Sequence, residues 1–223
     1  MITRLSRAIV QGYMAHVRGE RFSPLWALLT PASWLNRFVV ASWDFLYRHG
    51  LRRTEEPPLP VVSVGNLTYG GTNKTPFVEM LARAMRDHGV RVGIVTRGYG
   101  GLRSQSGAVL VIEGGNGDRD TAGDEPLLLS SRLPDVLVAI ARRRVEGVRE
   151  LRRRGVELAI ADDAFQHRQL GRDADVVLID ATCPFGNRTL IPSGILREPA
   201  SALRRAHLVV LTKVDQADPE SLS

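Results

Sequence analysis

"GNLTYGGTNKTPF", residues 65–77, follows a short apolar run and is similar in pattern to a phosphate-binding loop. The usual pattern of such loops is Gly-x-x-x-x-Gly-Lys-Ser/Thr. Lys74 and Thr75 occupy the last two positions, whereas Thr68 and Asn73 stand where the two glycines are expected. Because Asn is one of the few residues besides Gly that tolerate a left-handed backbone, Asn73 does not exclude a loop of this kind.

The order of the structural signals around this stretch favours phosphate binding. An apolar strand, a Gly-rich turn and a Lys-Thr pair at the first turn of a helix present backbone N–H groups to a phosphate. Lys74 would neutralise the β- and γ-phosphates, and Thr75 would offer its hydroxyl to Mg²⁺. The predicted phosphate-binding residues are Thr68, Gly70, Gly71, Thr72, Asn73, Lys74 and Thr75. The alternative is an ordinary Asn-containing turn before a helix.

A second motif, "VELAIADDAFQH" (156–167), is an apolar strand that ends in two carboxylates, Asp162 and Asp163. This is the form of a Walker B element, which holds or orients magnesium. Aspartates are also common in loops after strands, so a purely structural role is the alternative. Two motifs in the right order on the right elements predict a nucleotide-dependent phosphoryl-transfer or hydrolysis enzyme.

"TAGDEP" (121–126) places Asp124 and Glu125 at the predicted start of a helix. Acidic residues at this position can simply cap the helix and interact with its dipole. A functional interpretation makes one acid a general base for a hydroxyl group and the other a metal ligand.

The rest of the chain alternates between apolar strands and helices. A parallel sheet with helices on both faces is predicted, because its strands read as continuous Val/Ile/Leu runs. The predicted strands are 61–65, 90–98, 108–115, 136–140, 156–164, 175–181 and 206–215, and the predicted helices are 75–89, 124–134 and 141–155. The fold class is therefore α/β, with a P-loop-type, mostly parallel sheet. In such sheets ligands lie at the carboxyl ends of the strands.

Two segments are predicted from composition: a basic, aromatic helical segment over 1–54 and an α/β domain over 55–223 that begins with the linker-like "EEPPLP". The first 53 residues hold eight arginines against two acids, so 8 − 2 accounts for the net charge of +6. This segment also holds the three tryptophans. The mixture of Trp, apolar residues and Arg over 22–50 is what a helix lying at a membrane surface requires, while packing on the chain's own domain is the alternative.

Composition also excludes several classes of protein. No apolar run reaches the roughly 18–20 residues that span a bilayer, and no signal-peptide cleavage site is apparent. The basic residues are mixed with bulky apolar ones instead of forming a polar stripe, so no nucleic-acid partner is predicted. Cys183 is the single cysteine, which excludes an internal disulfide framework.

The motifs together identify a family. "SVGNLTYGGTNKTP", "TRGYGG" (96–101), "AGDEP", "DDAFQH" and "IPSGILREP" (191–199) occur in the order and approximate spacing of tetraacyldisaccharide 4′-kinases. The resemblance implies transfer of phosphate from ATP, with Mg²⁺, to the 4′-hydroxyl of a tetraacyldisaccharide 1-phosphate in lipid A biosynthesis. It also implies a peripheral protein on the cytoplasmic face of the bacterial inner membrane, docked through residues 22–50.

The resemblance also implies roles for particular residues. The implied catalytic residues are Asp124 as base toward the sugar hydroxyl, Lys74 on the phosphates, Asp162 in support, and Arg197. The implied magnesium ligands are Thr75, Glu125 and Asp163, and the implied substrate-binding residues are Gln166, His167 and Arg97. Asn73 and Ala164 stand where the family pattern has glycine, and the first of these could alter nucleotide affinity.

Two further hypotheses remain open at the level of sequence. The family's C-terminal lobe is not within these 223 residues. The chain could be a truncated form of a longer protein, a second chain could complete the cleft, or the chain could be a non-catalytic nucleotide-binding remnant. "LTKVD" (211–215) is similar to the guanine-reading motif of P-loop GTPases, which gives a GTPase or metallochaperone-like switch as the other hypothesis.

Overall fold

The computed structural model describes residues 2–18, 24–98 and 108–217. The strands are β1 Val61–Asn66, β2 Val92–Thr96, β3 Leu110–Ile112, β4 Leu137–Ile140, β5 Leu158–Asp162, β6 Ala174–Asp180 and β7 Leu208–Thr212. The α-helices are α1 Ile2–Val17, α2 Pro24–Ala27, α3 Thr30–Arg48, α4 Lys74–Asp87, α5 Arg119–Ala122, α6 Asp124–Arg132 and α7 Arg144–Arg153. Two 3₁₀ helices cover Ala200–Arg205 and Val214–Gln216.

The seven strands form one sheet in the order β3-β4-β2-β5-β1-β6-β7. The strand before the phosphate-loop motif, β1, lies between β5 and β6 and is parallel to both. Both faces of β1 are covered by the rest of the protein, and five of its six residues are buried. The predicted fold class, a mostly parallel α/β sheet, is confirmed.

Helices cover the sheet on both faces, which explains why its strands are apolar throughout. On one face, Val78 and Ala82 of α4 pack in a buried cluster with Val64 of β1 and Ile160 of β5. On the other face, α7 contributes buried apolar side chains such as Leu151 to a second cluster. The sheet is therefore the middle of three layers, and loops lie at the carboxyl ends of its strands.

A third buried cluster lies beside these layers and connects the N-terminal helices to the sheet. Phe165, which follows β5, is fully buried in it, and Val40 of α3 packs against it. Two hydrogen bonds also join α3 to the 191–199 segment: Asn36 Nδ2 donates to the Ile191 carbonyl oxygen at 2.9 Å, and the Ser193 amide donates to Ser33 Oγ at 2.9 Å. These contacts fix one face of α3 against the domain.

The opposite face of α3 is apolar and exposed. Trp34, Leu35 and Phe38 expose 66–70% of their surface to solvent, and Phe45 exposes 54%. Among the described helices, none combines the length and the apolar character that crossing a bilayer requires.

Two details of the fold differ from the sequence-based expectation. Strand β3 covers only Leu110–Ile112 and runs antiparallel to β4. An apolar run in the sequence predicts a strand but does not indicate the direction in which that strand pairs. Helix α7 lies in the arginine-rich stretch 141–155 that was predicted as a helix, yet its first residue, Arg144, is only 3% exposed. The start of the linker-like stretch is also held against the domain, since the Glu55 amide donates to the Gln169 carbonyl oxygen at 2.7 Å.

Parts of two predictions fall outside the described residues. They are residues 99–101 of the "TRGYGG" motif, and residues 22–23 of the predicted membrane-docking segment.

Gly65 is expected to be essential for stability. A Cβ at this position would lie 2.5 Å from Phe165 Cβ and 3.0 Å from the Phe165 backbone nitrogen, in a region with no room to relax. We expect Gly65→Ala to lower the free energy of unfolding by about 2–4 kcal/mol, measured by urea titration. Gly71→Ala is the matched control: its Cβ would meet nothing within 4 Å, so a change of no more than about 0.5 kcal/mol is expected. Equal effects of the two substitutions would contradict this account of the packing.

Candidate active site

The carboxyl ends of β1, β2 and β5 meet at one edge of the sheet, where a cavity of about 530 Å³ opens. This is the edge at which α/β sheets bind ligands. The cavity is lined by Asn36, Tyr69, Lys74, Thr96, Glu125, Arg144, Asp162, Asp163, Ile191 and Arg197. Residues from seven separate stretches of the chain therefore share one site.

The loop between β1 and α4 is held from below by Asn66, the last residue of β1. Its buried side chain donates from Nδ2 to the Thr68 carbonyl oxygen at 2.7 Å and to Thr72 Oγ1 at 2.9 Å. Its Oδ1 accepts a hydrogen bond from Lys74 Nζ at 3.2 Å. One amide side chain thus fixes both the path of the loop and the position of the lysine.

Asn73 has the left-handed conformation that the loop pattern requires of a glycine. Its φ is 56° and its ψ is 35°, and it immediately precedes α4. Gly70 also has a positive φ, 128°. The replacement of the second glycine by Asn is therefore compatible with the backbone conformation of the loop.

Asp163 connects three segments through charge. Its carboxylate lies 3.5 Å from Lys74 Nζ and accepts hydrogen bonds from Arg197 Nη1 at 2.9 and 3.0 Å. Burial opposes ionisation of this carboxyl group, but the positive charges of Lys74 and Arg197 outweigh burial and lower its pKa. Asp163 is therefore ionised at neutral pH and holds both cations at the cavity.

The neighbouring carboxyl group, Asp162, is in a different state. It is 2% exposed, and its Oδ1 has no hydrogen-bond partner among the described residues. Burial, together with the negative charges of Glu125 and Asp163, raises the pKa of Asp162 to about 7. Two adjacent acids therefore differ in charge because one faces cations and the other is enclosed.

A further acid, Glu125, lies at the start of α4, where it contacts Thr75. Thr75 Oγ1 donates to Glu125 Oε1 at 2.6 Å, which links the first turn of α4 to the first turn of α6. A hydroxyl group and a carboxylate are thus in direct contact beside the lysine-bearing loop.

Asp124 is placed differently from its neighbour Glu125. Its carboxylate pairs with Arg119 on the protein surface, its side chain is 71% exposed, and it is not among the residues that line the cavity. The hydrogen bond from Arg119 lowers the pKa of Asp124, so the group is ionised at neutral pH.

None of the three residues predicted to bind substrate lines this cavity, and two of them, Gln166 and His167, line a separate cavity that also includes Arg197. Gln166 Nε2 donates to the Asn66 carbonyl oxygen at 2.9 Å. Burial, and then the positive charge of Arg144, lowers the pKa of His167 to about 4, so its ring is neutral at pH 7. Arg97 follows β2 and is exposed, and its charge also acts on His167.

The sequence of the chain matches a known protein family. The family model described as tetraacyldisaccharide-1-P 4′-kinase matches residues 25–223. The chain belongs to this family. The tetraacyldisaccharide 4′-kinase of Chlorobaculum tepidum is 42% identical over 203 residues, covering 87% of this chain and 57% of that protein. The corresponding protein of Syntrophotalea carbinolica is 44% identical, covering 89% of this chain and 55% of that protein.

The fold is also similar to a solved member of the family. The crystal structure of LpxK from Aquifex aeolicus in complex with ATP superposes with a TM-score of 0.77 at 37% identity, covering 86% of this chain and 60% of that one. The chain thus spans a little more than half the length of these relatives.

The donor set at the cavity of this 4′-kinase family member fits magnesium. Mg²⁺ prefers oxygen ligands and is usually held by one or two carboxylates together with substrate phosphates. Glu125 and Asp163 line the cavity, and Thr75 Oγ1 is hydrogen-bonded to the Glu125 carboxylate. Asp162 also lines the cavity, and its buried Oδ1 has no hydrogen-bond partner among the described residues. Within the described residues there is no cage of three or more His, Cys, Asp or Glu side chains. A site that relies on substrate phosphates does not need one.

Sequence reasoning did not identify two residues that shape the site. Arg144 donates from Nη2 to the carbonyl oxygens of Asp162 and Asp163 at 3.0 and 2.9 Å, but in the sequence it is one of several consecutive arginines. Asn66 had a weak signal, a polar residue at the end of an otherwise apolar strand. Their functions depend on tertiary contacts that no local pattern encodes.

The "LTKVD" stretch lies outside this cavity. Lys213 has a left-handed conformation and its Nζ pairs with Asp180, at the end of β6. Membership in the 4′-kinase family favours the kinase over the GTPase hypothesis.

The pKa of Asp162 predicts how stability depends on pH. An acid whose pKa is raised on folding binds a proton more tightly in the folded state, so stability falls as pH rises from about 4 to about 7 and stays lower above that range. Without metal, at about pH 8, we expect Asp162→Asn to be more stable than the wild type by roughly 1–4 kcal/mol, and the two to converge near pH 4. Urea unfolding in the presence of EDTA measures this difference.

Asp120→Asn is the control, because Asp120 is exposed and its substitution should leave the pH profile of stability unchanged. A wild type that is more stable than Asp162→Asn at alkaline pH would show that the buried carboxyl group is ionised without cost.

Proposed function

We propose that this chain carries the ATP-binding and phosphoryl-transfer site of a tetraacyldisaccharide 4′-kinase, which phosphorylates the 4′-hydroxyl of a tetraacyldisaccharide 1-phosphate. The observation that carries the proposal is the meeting of Lys74, Asp163 and Arg197 at the end of a phosphate-type loop, beside the Thr75–Glu125 pair. Family membership and the ATP-bound relative support the choice of nucleotide.

In this proposal the loop before α4 holds the triphosphate. Residues 68–75 provide backbone N–H groups at the start of a helix, where negative charge is favoured. Lys74 provides an ammonium group whose position is fixed by Asn66. Because phosphoryl transfer develops charge on the transferred group, positioned cations such as Lys74 and Arg197 stabilise the transition state.

Thr75, Glu125 and Asp163 would hold magnesium, with Asp162 in support. When bound, the ion neutralises phosphate charge and orients the transferred group. The raised pKa of Asp162 suits a group that binds a cation only after losing its proton.

Asp124 is the proposed general base. The oxygen of the 4′-hydroxyl forms a bond to the γ-phosphorus, the bond from that phosphorus to the ADP oxygen breaks, and the hydroxyl proton moves to the Asp124 carboxylate. The lowered pKa keeps this carboxylate deprotonated at neutral pH. Its pairing with Arg119 would have to give way to the sugar hydroxyl during catalysis.

Gln166, His167 and Arg97 are proposed to position the sugar. The amide of Gln166 is fixed by the end of β1, and the neutral His167 ring can donate and accept hydrogen bonds. Their place at the carboxyl ends of the strands supports contact with the acceptor.

We also propose that α3 lies on the cytoplasmic face of the inner membrane. Its exposed apolar residues Trp34, Leu35 and Phe38 share one side of the helix, while the other side is fixed to the domain. An amphipathic helix of this kind binds the interface between lipid headgroups and acyl chains. The acyl chains of the substrate could then remain in the bilayer during the reaction.

The kinase proposal predicts separate effects for binding and transfer. Lys74→Ala is expected to remove thermal stabilisation by ATP–Mg²⁺ and to lower transfer of labelled γ-phosphate to tetraacyldisaccharide 1-phosphate by about 100-fold or more. Asp124→Ala is expected to retain nucleotide stabilisation but to lower transfer by roughly 10²–10⁴-fold, since only proton removal is affected.

The controls are Lys213→Ala, whose lysine lies outside the cavity, and Asp120→Ala, an exposed acid beside Asp124. Equal stabilisation of wild type and Lys74→Ala by ATP–Mg²⁺ would contradict the phosphate-binding role, and a larger stabilisation by GTP would favour a GTPase.

The membrane proposal is tested by sedimentation with phosphatidylglycerol–phosphatidylcholine vesicles. Replacing both Leu35 and Phe38 by Asp removes two exposed apolar side chains, each worth about 1.5–3 kcal/mol when buried, so binding should weaken by at least about tenfold. Met80→Asp is the control, since Met80 is 55% exposed on α4. Unchanged vesicle binding by the double variant would rule out α3 as the docking element.

A further inference from the structure

A second cavity, of about 330 Å³, lies between α3 and the loop that follows β5. Its walls include Trp43, Tyr47, Arg52, Arg168, Arg197 and Glu198. Arg197 also lines the catalytic cavity, so the two cavities adjoin at this guanidinium group. A ligand longer than one sugar could therefore occupy both.

The two acids in this second cavity each have a cation of their own. Asp44 pairs with Arg168 and, at 2.7 Å, with Arg48. Glu198 pairs with Arg205 at 2.6 Å, and burial raises its pKa to about 7, which reduces its negative charge further. The acids therefore do not neutralise the remaining guanidinium groups on the wall.

Arg52 is the clearest of these remaining cations. Its guanidinium carbon lies 3.7 Å from the centre of the Trp43 ring, and within the described ranges of the chain it forms no ion pair. Stacking on an aromatic ring holds the guanidinium plane while leaving its N–H edges able to donate. This arrangement suits a planar cation that contacts a phosphate.

Two buried polar atoms on the same wall also have no hydrogen-bond partner among the described residues. They are Arg197 Nε, a donor, and Gln166 Oε1, an acceptor. Buried polar atoms of this kind usually have a partner, so their presence points to a polar ligand. A donor and an acceptor on residues that line one cavity match the hydroxyl groups of a sugar.

We propose that this cavity binds the sugar 1-phosphate end of the acceptor disaccharide, with Arg52 contacting the phosphate. The inference rests on the proposed function. The 4′-hydroxyl and the 1-phosphate belong to different sugars, so an acceptor with its 4′-hydroxyl in the catalytic cavity must extend its other sugar elsewhere. The adjoining cavity at Arg197 is the route that offers cations, aromatic rings and unpaired polar atoms.

The position of the cavity on α3 agrees with a lipid-linked acceptor. Val40, Trp43 and Tyr47 are spaced by three and four residues, so they share the side of α3 that faces the cavity. The exposed residues Leu35 and Phe38 lie on the opposite side of the same helix. A sugar phosphate in the cavity would thus contact the helix that is proposed to meet the membrane.

The test is equilibrium binding of the full chain to neutral detergent micelles that carry one of three lipids: tetraacyldisaccharide 1-phosphate, its 1-dephosphorylated form, or phosphatidylglycerol. The wild type is expected to bind the 1-phosphate at least about tenfold more tightly than the other two, as for one charge-assisted contact. Arg52→Ala should reduce that preference to about twofold or less, and Arg52→Lys should keep most of it because the charge remains. Arg53→Ala, at the neighbouring exposed arginine, should bind like the wild type.

Three results would overturn the inference. The first is equal affinity of the wild type for the two disaccharides, and the second is an Arg52→Ala variant that keeps the full preference. The third is phosphatidylglycerol binding as tightly as the 1-phosphate, which would make the cavity a site for bilayer headgroups.

Phosphoryl transfer is measured separately. If the wild type transfers no phosphate from ATP, the proposed function fails, while the binding preference and its loss in Arg52→Ala still test the second cavity. If transfer proceeds but the two disaccharides bind equally, only the inference fails.

Discussion

A single carboxylate, that of Asp163, holds the candidate site together. It follows β5, and it is paired with Lys74 from the loop after β1 and with Arg197 from the segment before the 3₁₀ helix Ala200–Arg205. Without that negative charge, two cations would face each other across a partly buried cavity with little to offset their repulsion. The relative positions of Lys74, Asp163 and Arg197 therefore depend on these ion pairs and on the parallel register of β1 with β5.

The contrast between Asp162 and Asp163 shows how the fold assigns different properties to identical side chains. Asp163 has a positive φ, 47°, which turns its side chain toward Lys74 and Arg197. Asp162 ends the strand and remains enclosed, and Arg144 donates a hydrogen bond to its backbone oxygen. Two consecutive residues thus differ: the carboxyl group of Asp163 is ionised at neutral pH, whereas that of Asp162 has a pKa of about 7.

The layers of the fold could be predicted from the sequence, because buried parallel strands and amphipathic helices have strong local patterns. The strand before the loop, the helix after it and the two acids after β5 all occur where the apolar runs place them. The antiparallel direction of β3 and the burial of Arg144 could not be predicted, since both depend on which elements meet in space. The same limit applies to Asp124 and Glu125, which look equivalent in the sequence but differ in direction: one pairs with Arg119 at the surface and the other with Thr75 in the site. The roles of the site residues in catalysis remain predictions.

Helix α3 has two different sides. One side is hydrogen-bonded to the domain through Ser33 and Asn36, and the other side is exposed. Exposure of these apolar side chains to water is unfavourable, so the exposed side favours a binding partner at this surface.

Lys74 already has two oxygen partners, Asn66 Oδ1 and the Asp163 carboxylate, before any nucleotide is considered. A triphosphate must therefore compete with Asp163 for this ammonium group, and success leaves Asp163 with less positive charge around it. That carboxylate then attracts a divalent ion more strongly, and by thermodynamic reciprocity a divalent ion on Asp163 releases Lys74 toward the triphosphate. In the proposed kinase site, nucleotide and metal would consequently bind as a cooperative pair, through an exchange of partners at Lys74.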